Sequence, residues 1–483
     1  MWSFCHMHLA LHQHRQSPAY RAPGRRCNTT DRAVDKRAPR AGVSATPAPR
    51  RRYRARVIAG ASIFAALALA APAPAAAGPE TPTVVMPRQA LAPEQIAIIV
   101  NDRDRASRRI ARYYQEKRQI PAENVVRIRF QPQGSRMDPD TFQTLYAQVQ
   151  AATPEGVQAY ALTWTAPYRV GCMAITTAFA AGYDEAFCAR GCQPTRASPY
   201  FASASHQPYT DLGWRPTMSL AGADIRAVKA LIDRGAAADG SRPQGTGYLV
   251  RTSDKARNVR AAGFDLAIER LGNAVRLARV EADQIEGKRD VLFYFTGLAR
   301  VPKIATNRYL PGAVADHLTS TGGQLTDSRQ MSSLRWLEAG ATGSYGTVVE
   351  PCNLLSKFPD PAVLIGAYVS GATLIEAYWK SVKMPGQGIF IGEPLARPFG
   401  GYTLRREGGD WLFETYALPP GAYTLEAALD PVGPYAALRH VGKPDFAPLQ
   451  LRLPSRDSGG YRVVPAPRTD QPRPQQRAMP SGG

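Results

Sequence analysis

The sequence predicts an α/β fold, a parallel sheet with crossover helices, followed by a small C-terminal all-β module. Three observations carry this. Short apolar runs such as QIAIIV (Gln95 to Val100) and VLFYFT (Val291 to Thr296) alternate with helix-period segments. The runs are apolar on both faces, as strands covered by helices on either side must be. Beyond Phe399 the texture changes to Gly, Pro and alternating short runs, the pattern of an antiparallel module.

In order, Arg50 to Arg56 (RRRYRAR) and the apolar Val57 to Ala71 form the basic and hydrophobic parts of a secretory signal, with cleavage after Ala77. The apolar run falls short of the ~20 residues of a spanning helix, so no membrane span is expected after cleavage. Residues 1–50 have neither a strand pattern nor a helical face. They are either a disordered leader or a mis-assigned start. The α/β domain is expected over 88–399. Gln95 to Val100 is its first strand, Ala106 to Lys117 a helix with Ile110, Tyr113 and Tyr114 on one face, and Val125 to Phe130 the next strand. A helix over Gln143 to Ala151 and a strand over Val157 to Trp164 follow.

A Cys-bearing insertion over 167–216 shows no sustained period. Alternation resumes with a helix at Ala223 to Arg234, a strand at Gly245 to Val250, a helix at Asn258 to Leu271 and a strand at Asp290 to Thr296. The β module is placed at 400–454 and a disordered tail at 455–483. No internal repeat is visible.

The formal charge of +21 is concentrated at the ends. Residues 1–77 carry 13 Lys/Arg against 2 Asp and the tail 5 Arg against 2 Asp, which leaves +7 on the body. That is an ordinary solvated surface, and no nucleic-acid partner is expected.

The exported part holds Cys172, Cys188, Cys192 and Cys352. Export implies an oxidising compartment, and the C-x3-C spacing suggests a bridge among Cys172, Cys188 and Cys192. A third loop cysteine would then be free or reach Cys352. A zinc site from these three and His206 matches no familiar spacing, so no metal and no cofactor are expected. The Gly340 to Gly346 run lacks the G-K-[ST] ending of a phosphate loop.

Catalytic candidates lie past predicted strand ends, where open α/β sheets place ligands. These are Asp316 and His317 after the strand at Asp290 to Thr296, and Glu350 and Cys352 after the GSYGTVV run. Cys352 could act as nucleophile with His317 as base and the Gly322–Gly323 turn as a source of N–H donors. This layout resembles the caspase–gingipain class of cysteine peptidases in architecture, where His and Cys follow consecutive strands. Three features weigh against turnover. Leu318 stands where that class has Gly, Glu350 disfavours a thiolate at Cys352, and Asp316 faces away from His317. A hydrogen-bonded packing role for His317 and a buried or bridged Cys352 is the favoured alternative.

Strings such as YYQEKRQIPAENVV, LTWTAPYRVGCMAITTAF, ADHLTSTGGQL, GATGSYGTVVEPCN, GATLIEAYWKSV and PGQGIFIGEPLARPF are similar to an exported bacterial family of unassigned activity. That family co-occurs with the exosortase sorting system. The resemblance spans most of Ile96 to Phe399 and implies export to the periplasm or beyond and a role at the envelope. It implies no reaction. The expected function is therefore a non-catalytic or degenerate peptidase-like protein that binds a peptide or polysaccharide. An active Cys352–His317 hydrolase and a glycan-binding protein using the aromatic-rich Trp164 to Tyr209 loop are the alternatives.

Overall fold

Runs without a polar face need cover on both sides, and Ile96–Asn101 and Val291–Thr296 find it as central strands. The computed structural model describes residues 81–132, 134–350, 352–454 and 459–467. The leader, the export signal and most of the tail lie outside the described residues. The central sheet is built from β1 (Ile96–Asn101), β2 (Val125–Ile128), β3 (Ala159–Leu162), β4 (Thr217–Ser219) and β5 (Thr246–Arg251). It continues with β6 (Arg276–Glu281), β7 (Val291–Thr296), β8 (Tyr309–His317), β9 (Gly343–Thr347) and β10 (Gly388–Gly392).

Across the sheet the order is β6-β5-β7-β8-β9-β10-β4-β3-β1-β2. All neighbours pair in parallel except β9 and β10, which run antiparallel from Gly343–Gly392 to Thr347–Gly388. The sheet is therefore two parallel blocks that meet at one antiparallel seam. Within each block the order is second, first, third, fourth, fifth: β2-β1-β3-β4-β10 in the first and β6-β5-β7-β8-β9 in the second. The expectation of a parallel sheet holds within each block, and the absence of an internal repeat in sequence hides a repeated topology. Because the blocks run in opposite senses, their carboxyl ends open on opposite edges of the sheet.

The helices follow their capping chemistry. The helix Arg105–Arg118 starts where the Asp104 carboxylate accepts the Ala106 N–H (2.8 Å) and ends at Gln119 in the left-handed conformation (φ 54°). It buries Ile110, Ala111 and Tyr114. The helices Pro361–Val369 and Leu374–Ser381 pack on each other, and the second is buried along its whole length. At the seam, Trp379 stacks on Phe390 of β10 with centroids 4.4 Å apart.

Four features depart from the sequence reading. The 167–216 insertion is ordered and contains the helix Ile175–Ala181, buried from Ile175 to Ala180. A helix without a polar face has no period to read. Strand β4 closes that segment and pairs with β3 and β10. Strand β6 (RLARVE) went unseen because it is a charged edge strand. Finally, His317 is the last residue of a strand and lies in no connection.

The C-terminal module has one sheet of Thr403–Glu407, Asp410–Thr415 and Leu449–Leu453 and a second of Gly421–Ala428, Ala436–Lys443 and Gly460–Pro465. Thr83–Val85 adds to the second in parallel with Gly460–Pro465. The module thus reaches into the stretch read as tail and takes a strand from the stretch before the α/β domain. Phe413, Leu425, Leu453 and Val463 are fully or nearly fully buried in its core.

Candidate functional site

The carboxyl edge of the second block carries the expected site residues. The AVADH end of β8 alternates, so Asp316 and His317 lie on opposite faces. Asp316 forms an ion pair with Arg260 at 2.6 Å, both side chains almost wholly buried. Arg260 also donates to the Thr296 carbonyl at 2.7 Å, joining the ends of β7 and β8. Burial pushes the Asp316 carboxyl up, against the pull of Arg260.

His317 is enclosed on the other face. Its Nδ1 accepts the indole N–H of Trp336 at 2.9 Å, and its Nε2 lies 3.1 Å from the Met331 carbonyl. Indole is a donor only, so Nδ1 is unprotonated and Nε2 carries the hydrogen that Met331 accepts. Burial drives the imidazole pKa down to about 3, with the Met331 bond opposing and Arg260 and Arg257 adding to the shift. Both nitrogens are occupied and the ring is neutral.

Cys352 is joined to Cys192 and Cys172 to Cys188, with Cα separations of 5.2 and 5.4 Å. A bridge within the insertion is present, but it joins Cys172 to Cys188 and the two cysteines of the C-x3-C do not pair with each other. The third loop cysteine crosses 160 positions to the end of the second block. A disulfide sulfur attacks nothing, so the thiol–imidazole dyad is not assembled here. The zinc set is not assembled either. Its cysteines are bridged, and His206 lies 3.1 Å from Glu376. Among the described residues no group of three or more His, Cys, Asp or Glu is placed to hold a metal.

Glu350 is fully buried against Lys357 (2.7 Å) and accepts the Cys352 N–H at 3.0 Å. It anchors the bridged segment. The Gly322–Gly323 turn offers no oxyanion donor at Gly323, whose N–H bonds Thr347 at 2.8 Å. Its glycines serve close approach instead. A Cβ on Gly346 would sit 2.5 Å from the Gly322 carbonyl carbon.

What remains open is a cleft of about 250 Å³ beyond β8 and β9, lined by Arg257, Thr319, Ser320, Glu350, Cys352 and Asn353 among others. Arg257 is fixed by Thr319 Oγ1 (3.0 Å) and Asp254 (2.8 Å). The cleft gathers Glu350 and Cys352 and leaves out His317, Asp316 and both glycines. It presents charge and hydrogen-bonding groups, and its cysteine is held in the disulfide. Arg257, Arg260 and Lys357 were not singled out from sequence. The signal was indirect, since a buried Asp316 or Glu350 demands a counter-charge and does not name it.

Part of the aromatic set of the insertion faces inward, while Tyr183, Phe201, Tyr209 and Trp214 are partly exposed. Trp164, Tyr168, Phe187 and Tyr200 are all at most 3% exposed. Those four give a polysaccharide no stacking surface.

No family model matches the chain, and no curated protein matches it. Among solved structures, it is similar to a chain described as a protease, with 8% identity, a TM-score of 0.34 and coverage of 75% of this chain and 97% of that one. It is also similar to the complex of the pro- and mature domains of RgpB from Porphyromonas gingivalis, with 7% identity, a TM-score of 0.37 and coverage of 77% and 99%. Likeness at that level says nothing of chemistry.

Proposed function

We propose that the chain is an exported binding protein on a peptidase-like α/β frame that cleaves nothing itself. In this reading an extended peptide segment lodges in the cleft bounded by Arg257, Ser320, Glu350 and Asn353. The observation that carries it is the state of the two expected catalytic groups: Cys352 in a bridge and His317 with both nitrogens hydrogen-bonded. Two disulfides support an oxidising compartment. No helix among the described residues is long and apolar enough to cross a membrane. The envelope role and the exosortase link rest on the family resemblance alone.

The test is iodoacetamide labelling of the unreduced protein at neutral pH, beside hydrolysis and binding of an unstructured peptide library. The expected result is an unlabelled Cys352, no turnover, and peptide binding weakened by Arg257→Ala. Selective labelling of Cys352 that disappears in His317→Ala, together with peptide cleavage, would establish a hydrolase instead.

A further inference from the structure

A second site lies away from that cleft, where the helices Phe264–Leu271, Pro361–Val369 and Leu374–Ser381 meet the Ala202–His206 segment and the C-terminal module. It is a cavity of about 340 Å³, within the range of small-molecule sites. Its walls are mostly apolar, with Leu271, Val363, Ala367 and Phe446 among them. The charged and titratable groups that line it are Lys380, Arg270 and His206, and no Asp or Glu lines it.

Lys380 is the unusual member. It is 5% exposed and lines the cavity. Its Nζ lies 5.2 Å from the centroid of the Tyr200 ring. Glu376, one turn earlier on the same helix, is already occupied. One of its oxygens takes the Leu91 N–H, the Thr373 N–H and the Thr373 hydroxyl, and the other faces His206. Burial alone would raise the Glu376 carboxyl, yet His206, Lys380 and Thr373 hold it down to about 2. The negative charge is thus committed to a capping box and a loop, and the positive charge is left facing an apolar cavity. Glu376 offsets part of that charge through space, and an anion in the cavity would give the ammonium a direct partner.

We infer that this cavity binds an aliphatic monocarboxylate, its chain against Leu271, Val363, Ala367 and Phe446 and its carboxylate on Lys380, with His206 and Arg270 near the entrance. A single negative charge suits a single buried ammonium. A doubly charged phosphate would require a larger desolvation for the same one partner.

The experiment is calorimetric titration of the full disulfide-bonded chain at neutral pH with decanoate, with decanol, and with a short peptide ending in a leucine carboxylate. Saturable decanoate binding is expected, with decanol weaker by on the order of tenfold or more, the worth of a charge-assisted hydrogen bond. Lys380→Met should lose the preference for decanoate over decanol while its thermal midpoint stays level or rises. Ala367→Trp, on a half-buried wall position, should block both ligands. The inference fails if decanoate does not saturate, if decanol binds as tightly, if Lys380→Met keeps the preference, or if only the peptide binds. The peptide-only outcome would make the cavity a chain-terminus site. None of these outcomes bears on the labelling of Cys352.

Discussion

The two blocks of the sheet share a strand order and finish their carboxyl edges in different ways. In the first block the ends of β2, β1 and β3 are closed by neutral groups, and a buried ion pair, Arg118–Glu393, lies past β10. The Asn101 side chain donates to the Phe130 carbonyl (2.9 Å) and accepts its N–H (3.2 Å). Ser107 accepts the Asn101 N–H (2.9 Å) and meets Thr163 at 2.6 Å. In the second block the edge is closed by two buried ion pairs, Asp316–Arg260 and Glu350–Lys357, and by the disulfide at Cys352. One topology therefore tolerates either finish, and the charged finish is the fragile one. A neutral partner lost leaves an unmet hydrogen bond. A charged partner lost leaves an ion with no water.

That contrast can be broken most directly by Arg260→Met or Lys357→Met. Each should lower unfolding free energy by about 3–5 kcal/mol in urea titration, because Asp316 or Glu350 is left buried alone. The double change Asp316→Leu with Arg260→Met should recover most of that loss. Should the single and double variants be equally unstable, the contrast would be one of packing and not of charge. Replacing Cys192 and Cys352 together by Ala should lower stability by about 2–5 kcal/mol in the same assay, leaving Cys172–Cys188 intact by mass spectrometry.

The comparison also has a pH signature. An unfolded imidazole takes up a proton below its ordinary value of 6.5, and folded His317 refuses one until about 3. The unfolded state therefore binds more protons in that window, and stability falls as pH drops through it, by roughly 1.4 kcal/mol per unit from this group. Urea midpoints at pH 7 and 5 should show this fall, and His317→Asn should flatten it. The smallest effects belong to the neutral groups of the first block. Ser107→Ala and Asn101→Ala should each reduce stability by about 1–3 kcal/mol, with little dependence on pH. A pH slope in those variants as changed as in His317→Asn would remove the distinction.

The legible part of the fold was its apolar runs. Ile96–Asn101 and Val291–Thr296 announce themselves because no residue in them can face water for long. What stayed hidden had a physical reason in each case. Arg276–Glu281 pairs on one side only and reads as a surface segment. Ile175–Ala181 is covered on all sides and loses its period. The reversal at the seam is invisible because β9 and β10 read alike in either direction, and only pairing partners fix their sense. At the site, the positions of Asp316, His317, Glu350 and Cys352 near one sheet edge followed from strand ends. Their states did not. Whether a histidine is sealed or a cysteine bridged depends on Trp336 and Cys192, residues 19 and 160 positions away.

The late arrival of β10 has a consequence for how the chain is made. The first block's other four strands are complete by Ser219, yet its fifth is Gly388–Gly392, synthesised after the whole second block. Until then β4 presents bare amide and carbonyl groups to any passing extended segment. A nascent polypeptide therefore carries a half-finished layer through most of its elongation, the interval in which a holding chaperone would have the most to protect. Cutting the chain between the blocks should yield fragments that are sound only when made together.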